Sequence, residues 1–114
     1  MKYVSVVGLP VYNLARHSGM GSAPGRLRRA GLLTAFGGSV LDEGDVELAH
    51  IERDVLEDGA KNLSHFRAVT GSVFSALCSM SADRVVLVGG DCSMAVGGLA
   101  GIVKSFGGRP SLPM

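Results

Sequence analysis

The residues whose types and spacing could support chemistry are concentrated in 89–93, a Gly-Gly-Asp-Cys-Ser sequence that directly follows four apolar residues. Polar side chains at the end of an apolar strand and the start of a helix allow three interpretations. Asp91 or Cys92 could bind a metal ion, or the backbone amides of the turn could bind a phosphate. Alternatively, Asp91 or Ser93 could cap the helix that follows. A carboxylate at position 91 counts against the phosphate site, because it would occupy or repel the position of the anion.

The other candidate ligands are dispersed along the chain. His17 lies in a glycine-rich loop after the first apolar segment and could border a site, whereas His50 and His65 are predicted at the surface. None of the three lies at a metal-ligand spacing from another histidine, a cysteine or a paired carboxylate. The acidic run over 42–47 fits no calcium-loop pattern, so we interpret it as a solvated loop. Cys78 is predicted to be a small buried hydrophobe.

Two familiar kinds of catalytic or phosphate-binding motif do not occur in the sequence. It contains neither the Gly-x-Ser-x-Gly turn of serine hydrolases nor the glycine-rich loop of P-loop nucleotidases. We therefore assign no catalytic residue and no cofactor-binding residue within this chain.

Composition limits the protein class. The chain has 114 residues, 46% hydrophobic and 18% charged, with a formal net charge of +1, which is typical of one small folded domain. This charge gives no reason to expect nucleic acid or an anionic membrane surface as a partner. Asp91 and several glycines interrupt the best apolar run before it reaches the roughly 18 residues of a membrane span. Two cysteines do not make a disulfide framework, and we expect a reduced, cytoplasmic protein.

The elements that must position the 89–93 sequence alternate in type. Apolar, β-branched runs predict strands over 3–9, 39–41 and 84–88, and helical periodicity predicts helices over 22–36, 60–80 and 93–106. Ser22 is the candidate cap of the first helix, with Pro24 in its first turn. The second helix carries one apolar stripe, formed by Phe66, Val69, Val73, Leu77 and Met80. The glycines of the third helix, at 97, 98 and 101, would let it lie close to a neighbouring backbone. The segment 50–58 is predicted to be an exposed connection or a short helix. Crossovers of this length favour an α/β fold, a parallel sheet with helices on its faces. Three strands would leave open sheet edges, so the chain is expected to be part of a longer domain.

Three segments resemble the ureohydrolase family of arginases, agmatinases and formiminoglutamases. The strand–turn–helix sequence VVLVGGDCSMAVG is similar to the first metal-binding motif of the family, an apolar strand followed by Gly-Gly-Asp-His-Ser. Upstream, VVGLP and SGMGSAPGRLRRAGLL resemble the first strand, glycine-rich loop and first helix of the family. The segment VLDEGDV resembles its second strand, which usually ends in a Gly-Asp pair, here Gly44-Asp45.

The resemblance implies a partial three-layer αβα fold, arginase-like, in which residues 1–114 form the N-terminal portion of one domain with about three strands present. It also implies hydrolysis of a guanidino or formimino C–N bond at a binuclear manganese centre that activates a water. Family members assemble into trimers or hexamers, so a homo-oligomer or association with a complementary ureohydrolase chain is expected.

Two departures from the family pattern change these expectations. Cys92 stands where the family has its metal-binding histidine, and a thiolate suits softer ions such as zinc better than manganese. The later Asp-x-His-x-Asp and Asp-x-Asp motifs are not found in this sequence. Cys92 is therefore the single predicted metal ligand, and His17 is the nearby candidate to join it. We expect weak zinc binding or none, and no activity from the chain alone.

These observations leave three hypotheses about function. The chain is a truncated ureohydrolase-like protein or one that a second polypeptide completes. Alternatively, it is a small α/β binding module that uses the turn at 89–93 for a phosphate or metal ion. In the third hypothesis it is an interaction fragment that docks on an intact homologue through its open sheet edges.

Overall fold

The computed structural model describes residues 4–12, 19–49, 51, 53–80 and 84–106. Along these residues the strands and helices follow in the order β1 (Val4–Leu9), a single 3-10 turn (Met20–Ser22), α1 (Ala23–Arg29), α2 (Leu32–Ala35), β2 (Val40–Asp45), β3 (Leu56–Glu57), β4 (Ala60–Lys61), α3 (Leu63–Cys78), β5 (Arg84–Gly89) and α4 (Met94–Ser105).

A parallel sheet of three strands forms the centre of the fold. Its strand order is β2-β1-β5, and β1 pairs in parallel with both neighbours. The pairing of β1 with β2 contains a register shift: Val6 pairs with Asp42, but Val7 pairs with Gly44. Gly44 has a left-handed backbone, with φ of 80°. The predicted α/β class and the parallel arrangement are confirmed.

Helices lie on both faces of the sheet. Val7 and Leu9 of β1 are buried against Val69, Val73 and Leu77, three apolar residues that recur at four-residue intervals along α3. Side chains alternate along a strand, so position 8 belongs to the opposite face. There, a side chain added at position 8 would collide with a carboxylate of β2 and approach an arginine of α1. The apolar stripe predicted for α3 therefore faces the core.

The helices α3 and α4 approach each other closely because α4 carries glycines on the shared side. A Cβ atom added to Gly97 would lie 2.5 Å from the carbonyl oxygen of Thr70. At Gly101 the added atom would lie 2.9 Å from the carbonyl oxygen of Phe74. The prediction that these glycines allow close backbone packing is confirmed.

The helix predicted over 22–36 is interrupted. Gly31 adopts φ of 101°, and this left-handed residue separates α1 from α2. The predicted side-chain cap from Ser22 is also wrong, because its hydroxyl donates backwards to the carbonyl oxygen of Gly19 at 2.8 Å. Pro24 is buried in the first turn of α1, as the sequence predicted.

Two segments that were predicted to be irregular form strands. The acidic run is not a loop up to residue 45, since β2 continues to Asp45. Within the predicted connection or short helix over 50–58, the described residues 51 and 53–55 are irregular, and Leu56–Glu57 form β3, which pairs with β4 in an antiparallel hairpin. Asp58 and Gly59 at its tip have φ of 49° and 77°, as a two-residue type I′ turn requires. The hairpin takes up the first residues of the helix predicted from position 60, so α3 begins at Leu63.

No helix in the described part of the chain is both long enough and apolar enough to cross a membrane.

Candidate functional site

The turn at 89–93 lies at the carboxyl end of β5, beside the end of β1. The backbone N–H of Asp91 donates to the carbonyl oxygen of Val11 at 3.0 Å, which attaches the turn to the segment after β1. Gly90 has φ of 93°, and a Cβ atom there would lie 2.5 Å from the carbonyl oxygen of Leu9. Glycine at position 90 is thus required by the close approach of these two strand ends. The turn occupies the edge where open α/β sheets bind ligands.

The Asp91 side chain closes the turn that precedes α4. Asp91 is 2% exposed, and its Oδ1 accepts hydrogen bonds from the Ser93 backbone N–H at 3.1 Å and from the Ser93 hydroxyl. The backbone carbonyl of Asp91 accepts the N–H of Met94 at 3.3 Å, which continues the turn into α4. The N-cap residue of α4 is Ser93, and its side chain makes no capping hydrogen bond, so Asp91 stabilises the turn before the helix.

The same hydrogen bonds give no support to a phosphate site. The first backbone N–H groups of α4 are directed to oxygens of the turn itself. Ser93 donates to the Asp91 carboxylate, Met94 to the Asp91 carbonyl, and Ala95 to the Cys92 carbonyl at 3.2 Å. A phosphate would have to displace the buried carboxylate and compete for these donors.

The residues at the turn do not fit a metal centre of the kind that the resemblance implies. Cys92 is exposed and is not in a disulfide. Within the described ranges, no group of three or more histidine, cysteine or carboxylate side chains could hold a metal ion. Cys92 as a metal ligand remains a prediction. His17 and His50 lie outside the described residues.

The other two sequence candidates lie apart from such a cluster. The ring of His65 packs against Tyr12, with ring centroids 6.2 Å apart and planes tilted by 44°. Cys78 is not in a disulfide and is half-buried, so it is less covered than the buried hydrophobe that the sequence predicted.

An ion cluster at the carboxyl end of β2 was not predicted from the sequence. Arg28 of α1 contacts Asp42 at 3.0 Å and Asp45 at 2.5 Å. The Gly44 N–H donates to Asp42 at 2.9 Å, and this bond, together with Arg28, holds the pKa of Asp42 below its usual value. The pKa of Arg28 is raised, mainly by its hydrogen bond to Asp45. The acidic run therefore supplies a structural ion pair, and no local sequence signal links position 28 to positions 42 and 45.

A cleft of about 480 Å³ lies between the segments that follow β1 and β2. Pro10, Tyr12, Val46 and Leu48 contribute to its largely apolar lining, and Glu47 is the charged residue in the described lining. The Tyr12 hydroxyl accepts a hydrogen bond from the Ile51 N–H at 3.2 Å, which holds the two walls together. Of the other polar side chains in the described lining, the Tyr12 hydroxyl accepts from Ile51 and the Ser22 hydroxyl donates to the Gly19 carbonyl oxygen.

Comparison with known proteins identifies arginases as relatives. No family model matches the chain. The arginase of Bacillus caldovelox is 29% identical over 116 aligned positions, which cover 93% of this chain and 38% of that protein. Arginase-1 of Xenopus laevis is 33% identical over 103 positions, covering 86% of this chain and 33% of the relative.

The fold of the chain is also similar to that of arginases. The crystal structure of arginase from Bacillus subtilis matches with a TM-score of 0.69 and 30% identity, over 91% of this chain and 35% of that one. The chain thus spans about a third of the length of the relatives that it matches.

Proposed function

The chain is related to the N-terminal portion of arginases, in the ureohydrolase family, and from this premise we propose that it forms the N-terminal part of a ureohydrolase-like domain. The observation that supports this proposal most directly is the Gly-Gly-Asp-Cys-Ser turn between β5 and α4. It lies at the carboxyl edge of a parallel sheet, and the similarity to arginases covers about nine tenths of the chain that contains it. Residues 1–114 are proposed to be part of one domain.

The proposed reaction class is hydrolysis of a guanidino or related C–N bond, with the chain contributing one wall of the site. The family uses a binuclear manganese centre to activate water. The described residues do not fit such a centre, because Asp91 is bonded to Ser93 and Cys92 has no ligand cluster around it. No catalytic step is assigned to residues of this chain, and we propose that the chain alone is inactive.

An activity assay tests this proposal. Purified chain is incubated with manganese and arginine, agmatine or formiminoglutamate, and released urea or formamide is measured. We expect no release above the blank that contains metal only. Release that disappears in Cys92→Ala would contradict the proposal, because it would place a competent site within this chain.

We further propose that any metal bound at the turn is held by Cys92 and is zinc-like, with His17 as the candidate second ligand. A thiolate prefers soft or borderline ions, and too few ligands make the binding weak. Calorimetric titration with zinc and manganese compares the wild type with Cys92→Ser and His17→Ala. Cys78→Ser is the matched control, because it removes the other thiol, half-buried near the end of α3. Manganese binding that survives Cys92→Ser would show that the ligand has been assigned to the wrong residue.

A partner that carries the later aspartate motifs would complete such a site, and association with a complementary ureohydrolase chain is therefore part of the proposal. Two free cysteines in the described residues also support a reduced, cytoplasmic location. Co-expression of the chain with a polypeptide carrying the Asp-x-His-x-Asp and Asp-x-Asp motifs tests the association. Co-purification in a fixed ratio is expected, and independent elution of the two polypeptides would contradict it.

A further inference from the structure

The cleft between the segments that follow β1 and β2 has the size and the lining of a small-molecule site. Its volume of about 480 Å³ lies within the range of ligand pockets, and its described lining is largely apolar. It lies at the carboxyl ends of two parallel strands, the edge at which open α/β sheets bind ligands. The described lining contains no residue of the turn at 89–93. The cleft is therefore a second candidate site in this chain.

The first wall of the cleft carries an aromatic ring that the fold holds in place. The Tyr12 hydroxyl accepts the Ile51 N–H at 3.2 Å, and the Tyr12 ring centroid lies 6.2 Å from that of His65. A Cβ atom added to Gly21 would lie 2.9 Å from Cδ1 of Tyr12, so the ring packs directly against the backbone at position 21. Because the ring is fixed at its hydroxyl and on its sides, a ligand does not have to order it on binding.

The second wall combines apolar side chains with one carboxylate. The Val46 N–H donates to the carbonyl oxygen of Gly8 at 2.9 Å, which attaches the start of this wall to β1. Val46 and Leu48 pack against the core, whereas Glu47 between them is exposed and has no ion-pair partner among the described residues. The wall therefore offers apolar surface together with an uncompensated negative charge on its exposed side.

These two walls together select the charge of the ligand. A carboxylate attracts a cation, and so does an aromatic ring when the cation lies over its face. The Glu47 carboxylate would repel an anion, and the described lining carries no arginine, lysine or histidine that could pair with one. The same lining is unfavourable for a free amino acid, because the carboxylate of such a zwitterion would have no cationic partner there.

We propose that the cleft binds an organic monocation, in which an ammonium group is attached to an aromatic or branched aliphatic group. The apolar part of this ligand lies against Pro10, Tyr12 and Leu48, and the ammonium group lies beside the Glu47 carboxylate. Binding of this kind requires neither a metal ion nor a second polypeptide. The proposal therefore does not depend on the hydrolase function proposed above, and its test contains no metal.

Heteronuclear NMR titration of the full, isotope-labelled chain tests the site. The probes are three molecules of similar size and different charge, namely phenethylammonium, phenethyl alcohol and hydrocinnamate, together with arginine as the zwitterion. The variants are Glu47→Gln and Tyr12→Ala. The matched control is Asp58→Asn, which removes an exposed carboxylate at the hairpin tip, outside the cleft, and keeps a residue type that tolerates the φ of 49° there. The spectrum of each variant also establishes that it is folded.

We expect phenethylammonium to shift the amide signals of Gly21, Glu47 and Leu48 and to leave those of Val73 and Gly101 in the helix interface unchanged. Phenethyl alcohol should bind about two- to fivefold more weakly, because it keeps the apolar contacts and loses the ion pair. Hydrocinnamate and arginine should bind at least about tenfold more weakly than phenethylammonium. No shift with phenethylammonium, or shifts confined to residues outside the cleft, would overturn the site.

The variants separate the charge of the cleft from its apolar surface. Glu47→Gln should weaken the binding of phenethylammonium about two- to fivefold and leave the binding of phenethyl alcohol unchanged. Tyr12→Ala should weaken the binding of both molecules, and Asp58→Asn should affect neither. Binding of phenethylammonium that is no tighter than that of hydrocinnamate, or that Glu47→Gln leaves unchanged, would overturn the assignment of a cationic ligand.

Discussion

Replacing Gly97 by alanine should destabilise the fold, whereas the same replacement at Gly71 should stabilise it. Both glycines are inside helices, so alanine gains about 1 kcal/mol of helix propensity at either position. At Gly97 the new methyl group would lie 2.5 Å from the Thr70 carbonyl oxygen and 3.3 Å from the Phe74 nitrogen, which are backbone atoms that cannot rotate away. At Gly71 an added Cβ atom meets nothing within 4 Å.

The magnitudes follow from these distances. Forcing a methyl group into a packed interface costs about 1–3 kcal/mol, and the upper part of this range applies because α3 and α4 must separate. After subtraction of the propensity gain, Gly97→Ala should lower the free energy of unfolding by about 1–2 kcal/mol. Gly71→Ala should raise it by up to about 1 kcal/mol.

Urea unfolding followed by circular dichroism measures both changes, and thermal unfolding gives a second reading of roughly 4 °C per kcal/mol for a chain of this size. The two variants are each other's controls, because the chemical change is identical. A Gly97→Ala variant as stable as Gly71→Ala would refute the description of α3 and α4 as helices in backbone contact.

Two further predictions concern the polar residues. Asp91→Ala should lower the free energy of unfolding by about 1–2 kcal/mol in the same urea assay, because it removes the buried acceptor of the Ser93 N–H and hydroxyl; an unchanged midpoint would show that these hydrogen bonds contribute nothing. The pKa of Asp42 is lower in the folded chain than in the unfolded chain, so its ionised carboxylate stabilises the fold at pH values above the unfolded pKa of about 3.9. This stabilisation is lost as the pH falls through the lower pKa of the folded chain. Urea midpoints of wild type and Asp42→Asn should therefore differ near neutral pH and converge as the pH falls below about 4, whereas a gap that persists in acid would contradict this assignment.

Much of the candidate site could be predicted from the sequence, because its determinants are consecutive. The apolar run of β5, the two glycines and the polar residues 91–93 predict a strand, a turn and a helix start without tertiary information. Which polar residue caps the helix could not be decided locally, since Asp91 and Ser93 are both common capping residues. In the structure Ser93 is the N-cap residue without a side-chain capping bond, and the buried Asp91 carboxylate instead accepts the Ser93 N–H within the turn.

The sequence by itself determined the strands β1 and β5, the buried face of α3 and the close contact made by the glycines of α4. These features depend on short-range periodicity and on residue size, which are properties of neighbouring positions. The type I′ turn at Asp58-Gly59 was missed, although this dipeptide is a strong hairpin signal, because the segment was interpreted as a connection or short helix followed by a helix from position 60. The tertiary structure alone decided that β2 continues to Asp45 and that Arg28 binds its two aspartates. It also decided that Leu56 is exposed while Val69, Val73 and Leu77 are covered. These features join or separate residues that are distant in sequence, so they exist only once the chain has folded.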